Sequence, residues 1–221
     1  MADVRAVWRS GLFDAIGAGT YDFVVERERL ARRLGRVVWG TDMGLLYERL
    51  SAISAMPDGS AILDVPCGGG LAFRALRPDQ RVRYVAADLS TGMLRRAQRE
   101  AARRDLDQIG FVEADVESLP FEDASFDLCI SFNSLHCFAD PAAALREMAR
   151  CLRPGAELIA DTAVRGAGAR FDRLIDLYAR RGIFGHVGTI EDLRRWLADA
   201  GLDAVSEERS GAIAHFTAAR R

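Results

Sequence analysis

From Ser60 onward, short apolar runs alternate with segments of helical pattern, and this alternation constrains the fold more than any other feature of the sequence. The apolar runs "AILDV", "VRYVAAD", "IGFVEAD", "FDLCISF" and "AELIADTAV" are typical of buried strands. Helical patterns separate them, the clearest at 93–104 and 141–152. Strands that alternate with helices form βαβ units, so the sequence predicts an α/β fold with a parallel sheet covered on both faces.

The C-terminal part of the chain departs from this alternation. Thr189 and Asp192 have the spacing of a capping box, and the apolar stripe that follows predicts a core helix ending at Gly201. Two further apolar runs, 202–205 and 212–217, are separated only by "SEERSG", which is too short for a helical crossover. These two runs are predicted to pair as an antiparallel hairpin.

The length of 221 residues fits one domain with a helical elaboration. Residues 1–56 have helical patterns and are predicted to form an N-terminal helical cap that belongs to the same domain as the core, 57–221. A lid segment is expected at about 165–188. Glycines near 17–19, 40–44 and 182–188 would let these segments close over a site.

Composition excludes several classes of function. The net charge is −2 and every basic residue is arginine, so no nucleic-acid partner is expected; the all-arginine composition indicates a GC-rich, bacterial source. The four cysteines form no C-x-x-C pair, and no metal site is predicted. The chain has no apolar stretch long enough for a membrane span and no pattern of a secretory signal, so a cytoplasmic location is expected. A homodimer is compatible with this sequence.

The stretch "ILDVPCGGG", residues 62–70, predicts a ligand-binding loop at the end of a strand. Gly68, Gly69 and Gly70 allow positive φ and let a ligand approach the backbone closely. A dinucleotide loop is disfavoured because Phe73 stands where its last glycine would be and because Asp64 would repel a pyrophosphate. A phosphate-binding P-loop is excluded because the chain has no lysine. S-adenosylmethionine, which carries positive charge and no phosphate, fits the loop.

Together with that loop, four further motifs resemble the class I methyltransferases, in particular their small type 11 branch. They are "AADLSTGML" at 86–94, "VEADVESLPFEDASFD" at 112–127, "SFNSLHCF" at 131–138 and "LRPGA" at 152–156. The resemblance implies a Rossmann-like, seven-stranded, mostly parallel sheet with a reversed last strand, which agrees with the predicted hairpin. One departure is Pro66, because the family carries glycine at this position.

The resemblance also implies the contacts of S-adenosylmethionine. Asp88 is expected to bind the ribose hydroxyls, as an acid at the end of the second strand does in nucleotide folds. Asp115 and Val116 correspond to the family's contacts with adenine, while Leu89 and Met93 would form apolar walls around it. The remaining expected cofactor contacts are Asp64, Val65, Gly68, Gly70 and Asn133.

The acceptor end is less constrained by the sequence. His136, in the loop after the fourth strand, is the predicted general base; His186 could reach in from the lid, and His215 is expected to be structural. The predicted substrate-binding residues are Tyr21, Trp39, His136 and Phe184, which indicate an apolar or ring-bearing small molecule. O-methylation is favoured over C-methylation. A non-catalytic cofactor-binding module and a nicotinamide-dependent oxidoreductase are the alternatives.

Overall fold

The structure of the chain is a computed structural model that describes residues 4–9 and 28–221. The predicted glycine break near 17–19 and the predicted substrate contact Tyr21 lie outside the described residues. The helices, labelled along the described residues, are α1 Val4–Arg9, α2 Glu28–Val38, α3 Gly44–Arg49, α4 Ser51–Ala55, α5 Thr91–Arg103, α6 Pro141–Cys151, α7 Ala169–Arg180 and α8 Ile190–Asp199. Two short 3₁₀ helices span Leu71–Ala75 and Leu135–Cys137.

Seven strands form a single sheet in the order β3-β2-β1-β4-β5-β7-β6. They are β1 Ala61–Asp64, β2 Arg83–Asp88, β3 Ile109–Glu113, β4 Phe126–Ser131, β5 Leu152–Ala163, β6 Leu202–Ser210 and β7 Ile213–Arg220. Strands β1 to β5 run parallel, and β7 pairs antiparallel with both β5 and β6. The predicted mostly parallel sheet, its reversed last strand and the C-terminal hairpin are therefore confirmed.

The central strands of the sheet are buried on both faces, as expected for parallel strands, whereas the edge strand β6 is mostly exposed. Adjacent residues of β1 point in opposite directions: Leu63 packs in one apolar cluster and Ile62 in another. The Leu63 cluster includes Leu145 and Met148 of α6 and Leu193 of α8. The Ile62 cluster takes its helical partners from α3, α4 and α5. Helices on both sides thus hold the strand ends of the sheet in place.

Side-chain caps fix where the helices begin. Ser90 accepts a hydrogen bond from the Met93 amide at the start of α5, and Asp140 accepts one from the Ala143 amide at the start of α6. The predicted capping box of Thr189 and Asp192 is present at the start of α8.

Two boundaries differ from prediction. The segment "SEERSG", predicted to connect the last two strands, lies in β6 up to Ser210, so only Gly211 and Ala212 join β6 to β7. Helix α6 ends at Cys151, one residue before the predicted end, and "LRPGA" opens β5. The difference arises because Leu152 already pairs with Phe126 of β4, ahead of a register irregularity. The glycine of this stretch, Gly155, takes φ +79° within the strand.

The segment 39–42 after α2 is anchored on the turn between β6 and β7. The Ala212 amide donates to the Trp39 carbonyl at 2.9 Å, and the Asp42 amide donates to the Ser210 hydroxyl at 2.9 Å. A Cβ on Gly211 would lie 2.3 Å from the Trp39 carbonyl oxygen, so this close approach requires glycine. These contacts place part of the cap beside the carboxyl end of β5. No helix within 4–9 and 28–221 is long and apolar enough to cross a membrane.

Candidate functional site

A cavity of about 320 Å³ lies at the carboxyl ends of the central parallel strands. Asp64 ends β1 and Asp88 ends β2, while Asp115 follows β3 and Asn133 follows β4; all four line the cavity. Ligands of open α/β sheets bind at this edge, where the winding of the chain reverses. The structure therefore brings together the polar residues that were predicted from four separate motifs.

The glycine loop lies between β1 and the cavity. Gly68 and Gly70 take φ of +53° and +91°, which side chains with a Cβ rarely adopt. A Cβ added to Gly68 would meet no atom within 4 Å, so the backbone of Gly68 faces open space. A Cβ added to Gly70 would lie 2.6 Å from the Phe73 ring. Pro66, the departure from the family pattern, follows a cis peptide bond. The loop leaves room for a ligand against its backbone.

Asp88 is the best anchored acid of the site. Its Oδ2 accepts the Gly68 amide at 2.9 Å, and its Oδ1 accepts the Ser90 amide at 2.8 Å. Both oxygens of this buried carboxylate are thus held by backbone amides of the loops after β1 and β2. A carboxylate held in this way matches the role of ribose acceptor.

Asp64 is buried and accepts a hydrogen bond from the Tyr84 hydroxyl at 2.8 Å. Burial raises the pKa of its carboxyl to about 8; the Tyr84 hydrogen bond lowers the pKa, and the nearby charge of Asp88 raises it. A raised pKa favours the protonated carboxyl in the unliganded protein. A cation bound beside it would favour the charged carboxylate.

Asp115 and helix α1 contact each other at the cavity. The Glu117 amide donates to Asp115 Oδ1 at 3.1 Å, and Arg5 Nε of α1 lies 3.1 Å from Asp115 Oδ2. The predicted apolar walls Leu89 and Met93 and the predicted adenine contact Val116 line the same cavity. Helix α1 also reaches the lid segment, because the Trp8 indole donates to the Ile183 carbonyl at 3.2 Å.

His136 lies in the 3₁₀ helix after β4 and is buried. Its Nδ1 is 3.1 Å from the Ala163 amide, which donates to it, and 3.2 Å from the Thr162 hydroxyl. Burial lowers the pKa of His136 to about 4, although the charge of Asp161 raises it, so the imidazole is neutral at pH 7. Its ring contacts Phe184, with centroids 4.4 Å apart.

Aromatic rings form one wall of the cavity beside His136. The Trp39 ring lies 6.1 Å from Tyr178 and 5.9 Å from Phe184 at small interplanar angles, and Tyr178 lies 5.0 Å from Phe184. All three residues line the cavity. The wall is apolar and flat, which suits a ring-bearing or hydrocarbon ligand.

The lid segment is joined to the His136 loop by backbone hydrogen bonds. The Gly185 amide donates to the His136 carbonyl at 2.9 Å, and the His186 amide donates to the Phe138 carbonyl at 3.0 Å. A Cβ on Gly185 would lie 1.9 Å from the Phe138 oxygen, so glycine is required here.

Not every predicted residue reaches the cavity. The side chain of His186 is exposed and packs against Trp196, with ring centroids 5.5 Å apart, so the structure does not bring it to the site. Thr41 and Ile213 line the cavity although sequence reasoning missed them. No local pattern marks these two, because they reach the cavity through contacts between segments about 170 residues apart.

Comparison with known proteins agrees with this geometry. The family described as "Methyltransferase domain" matches residues 63–160. The demethylmenaquinone methyltransferase of Beutenbergia cavernae is 36% identical over 73% of this chain and 63% of its own length. The 27-O-demethylrifamycin SV methyltransferase of Amycolatopsis mediterranei is 29% identical over 74% of this chain and 61% of its own length. The chain thus spans less than two thirds of either relative.

A solved structure with a similar fold is that of geranyl diphosphate methyltransferase in complex with geranyl diphosphate and sinefungin. Its TM-score is 0.68 at 14% identity, covering 81% of this chain and 79% of that one. Residues 63–160 are a domain of the class I S-adenosylmethionine-dependent methyltransferase family, in its type 11 branch. The fold and the cofactor, S-adenosylmethionine, are therefore those predicted from the sequence.

Proposed function

We propose that the chain transfers a methyl group from S-adenosylmethionine to a hydroxyl of an apolar, ring-bearing small molecule. One observation carries this proposal: a single cavity joins the acids at the ends of β1, β2 and β3 to the aromatic wall of Trp39, Tyr178 and Phe184. A site with these two parts can hold a charged cofactor and an apolar acceptor side by side.

The residues of the first part fit the cofactor. The exposed backbone at Gly68 leaves room for the methionine portion, and Asp64 offers a carboxylate to its ammonium. Asp88 would accept the ribose hydroxyls. Asp115 and Val116 would contact the adenine ring between Leu89 and Met93. When bound, S-adenosylmethionine supplies an electrophilic methyl group on a sulfonium.

The chain's own contribution to rate is alignment. In-line displacement requires the acceptor atom to point at the methyl carbon, and such positioning is worth up to roughly 7–11 kcal/mol. Asn133 takes φ +50°, and its backbone amide donates to Asp161 Oδ1 at 2.6 Å. This hydrogen bond fixes the loop between the two parts of the cavity. The stacked aromatic wall would hold a flat acceptor against this loop and exclude water from it.

The names of two of the relatives favour an organic acceptor. The two curated relatives are named for demethylmenaquinone and for 27-O-demethylrifamycin SV, and the second name specifies an oxygen. O-methylation is proposed ahead of C-methylation. His136 lines the cavity and contacts Phe184, so it is placed to hydrogen-bond the acceptor hydroxyl.

Calorimetric titration of the purified protein with S-adenosylmethionine, and separately with NAD, tests the first half of this proposal. Binding of S-adenosylmethionine without binding of NAD is expected. Binding of NAD alone would overturn the proposal in favour of an oxidoreductase.

The second half is tested by incubating the protein with ¹³C-methyl-labelled S-adenosylmethionine and a panel of phenols, naphthols and reduced naphthoquinones. The carbon spectrum of the product separates O-methyl from C-methyl groups. Cofactor binding without transfer to any member of the panel would favour a binding module instead of an enzyme.

A further inference from the structure

Two buried ionisable side chains lie outside the residues assigned above. Asp161 on β5 and His215 on β7 are paired across the antiparallel strands, and both are almost completely buried. Asp161 Oδ2 lies 3.4 Å from His215 Nδ1. Neither atom has a hydrogen-bond partner within the part of the chain that the structure describes. Buried polar atoms are rarely left this way without a functional reason.

The pair is connected to the cavity at both ends. Asp161 Oδ1 accepts the Asn133 amide at 2.6 Å, and His215 Nε2 lies 3.5 Å from the Thr41 hydroxyl. Asn133 and Thr41 both line the cavity. A continuous polar path therefore runs from the cavity through Thr41, His215 and Asp161 to the loop after β4.

The carboxylate determines the tautomer of His215. An ionised carboxylate only accepts hydrogen bonds, so one that lies 3.4 Å from Nδ1 favours the tautomer with the ring proton on that nitrogen. In a neutral imidazole the other nitrogen, Nε2, then has a free lone pair directed at the Thr41 hydroxyl. His215 is thereby oriented to accept a proton through Thr41.

His136 has the opposite arrangement. Its Nδ1 accepts the Ala163 amide, so in the neutral ring Nε2 carries the proton. A neutral imidazole with this tautomer donates a hydrogen bond at Nε2 and has no lone pair left there. The hydrogen bonding does not favour the general-base role predicted for His136 from the sequence.

We propose that Thr41 and His215, with Asp161 as the positioning residue, form the proton relay of the site, and that His136 is a hydrogen-bond donor to the acceptor. This inference rests on the methyl transfer proposed above. Thr41 is the member that contacts the acceptor, and His215 receives the proton through it.

The step balances in atoms and charge. The acceptor oxygen forms its bond to the methyl carbon while the carbon–sulfur bond breaks, and that electron pair goes to sulfur. The acceptor proton moves to Thr41 Oγ1 as the Thr41 proton moves to His215 Nε2. The positive charge lost from the sulfonium appears on the His215 imidazolium, beside the carboxylate of Asp161.

The relay depends on docking of the cap. Thr41 belongs to the segment 39–42, which is held on the turn between β6 and β7 by Trp39, Asp42, Ser210 and Ala212. These contacts place the Thr41 hydroxyl over β7, where His215 lies. Without them the path from the cavity to His215 would be broken.

Long-range ¹H–¹⁵N spectra of protein labelled at its three histidines test the proposal without any acceptor. At mildly alkaline pH, His215 is expected in the Nδ1–H form and His136 in the Nε2–H form. Thr41→Val should shift the His215 Nε2 resonance, and Thr41→Ser should restore it. Thr217→Val, which removes a hydroxyl from β7 that bonds Arg49 instead, is the matched control and should leave it unchanged.

The same variants are then assayed for methylation of 1-naphthol, used as the probe acceptor. Thr41→Val is expected to lower kcat about 10²-fold or more, as loss of acid–base assistance does, with KM nearly unchanged and with rescue by Thr41→Ser. An Nε2–H form of His215, or full kcat in Thr41→Val, would overturn the relay. A wild-type protein that fails to bind S-adenosylmethionine would instead overturn the proposed function, and the histidine spectra would still decide the relay.

Discussion

The two ends of the cavity are built in different ways. At the proposed cofactor end, the key residues lie within a few positions of a strand end. Short hydrogen bonds hold them, because the backbone amides of Gly68 and Ser90 both donate to the Asp88 carboxylate. At the acceptor end, the wall is assembled from distant segments, such as Trp39 against Phe184 and Thr41 against His215. If the proposed function holds, cofactor binding is a property of the sheet edge, whereas the proposed acceptor site depends on how the segments around Trp39 and Phe184 pack.

The largest effect is expected from Asp88→Ala. Hydrogen bonds to a charged group contribute roughly 1.5–3 kcal/mol, so the affinity for S-adenosylmethionine should fall about ten- to a hundredfold or more. Calorimetry with the Asp79→Ala variant, whose carboxylate is largely exposed, is the control. Equal affinities of the two variants would remove Asp88 from the cofactor site.

Gly185→Ala tests whether the two ends are separable. A Cβ 1.9 Å from the Phe138 oxygen must push the lid segment away from the His136 loop, and overpacking of this kind costs about 1–3 kcal/mol of stability. Denaturant unfolding should show this loss, while the affinity for S-adenosylmethionine should change less than about twofold. Gly110→Ala, where the added Cβ has an ordinary contact of 3.8 Å, is the control. A large loss of cofactor affinity in Gly185→Ala would show that the ends are coupled.

The pH dependence of cofactor binding reports on Asp64. Burial raises the pKa of this carboxyl to about 8, so the folded, unliganded protein holds the proton at pH values below that. A bound ammonium favours the carboxylate, and binding therefore releases a proton. Because one proton is released, affinity should rise by up to about tenfold from pH 6 to pH 7.

Calorimetric titrations with S-adenosylmethionine in buffers of different ionisation enthalpy measure the number of protons that are released on binding. The Asp64→Asn variant should bind with no such release and with a flat dependence on pH. Proton release that persists in Asp64→Asn would assign it to another group.

The smallest effect is expected from a matched pair of glycine variants. Gly68 and Gly59 both take positive φ, and a Cβ would meet no atom within 4 Å at either position. Gly68→Ala and Gly59→Ala should therefore lose similar stability, about 1–2 kcal/mol, from backbone strain. Gly68→Ala alone should also weaken S-adenosylmethionine binding, because only Gly68 faces the cavity. Identical cofactor affinities would mean that the ligand does not approach this loop.

Much of the fold could be predicted from the sequence, because periodicity and capping are local signals. The strand runs and the Asp140 and Thr189 caps each define their element without reference to distant residues. The start of β5 at Leu152 was missed because pairing with Phe126 overrides the helical pattern.

The candidate site likewise has residues that local sequence signals predict and residues that depend on distant contacts. Asp64, Asp88 and Asp115 each end or follow a predicted strand, so sequence places them at one edge of the sheet. Thr41 carries no such signal, and the hydrogen bonding of His136 depends on β5, which lies 26 to 27 positions away. The exposed position of His186 against Trp196 likewise follows from how the lid packs on α8.

The most direct test of the account is a crystal structure of the protein with S-adenosylhomocysteine, the product form of the cofactor. The account predicts the ribose hydroxyls on Asp88, the amino acid portion along Gly68, and the sulfur directed toward the aromatic wall of Trp39, Tyr178 and Phe184. A ligand bound elsewhere, or one whose sulfur faces away from that wall, would contradict the assignment of the cavity as a methyl-transfer site.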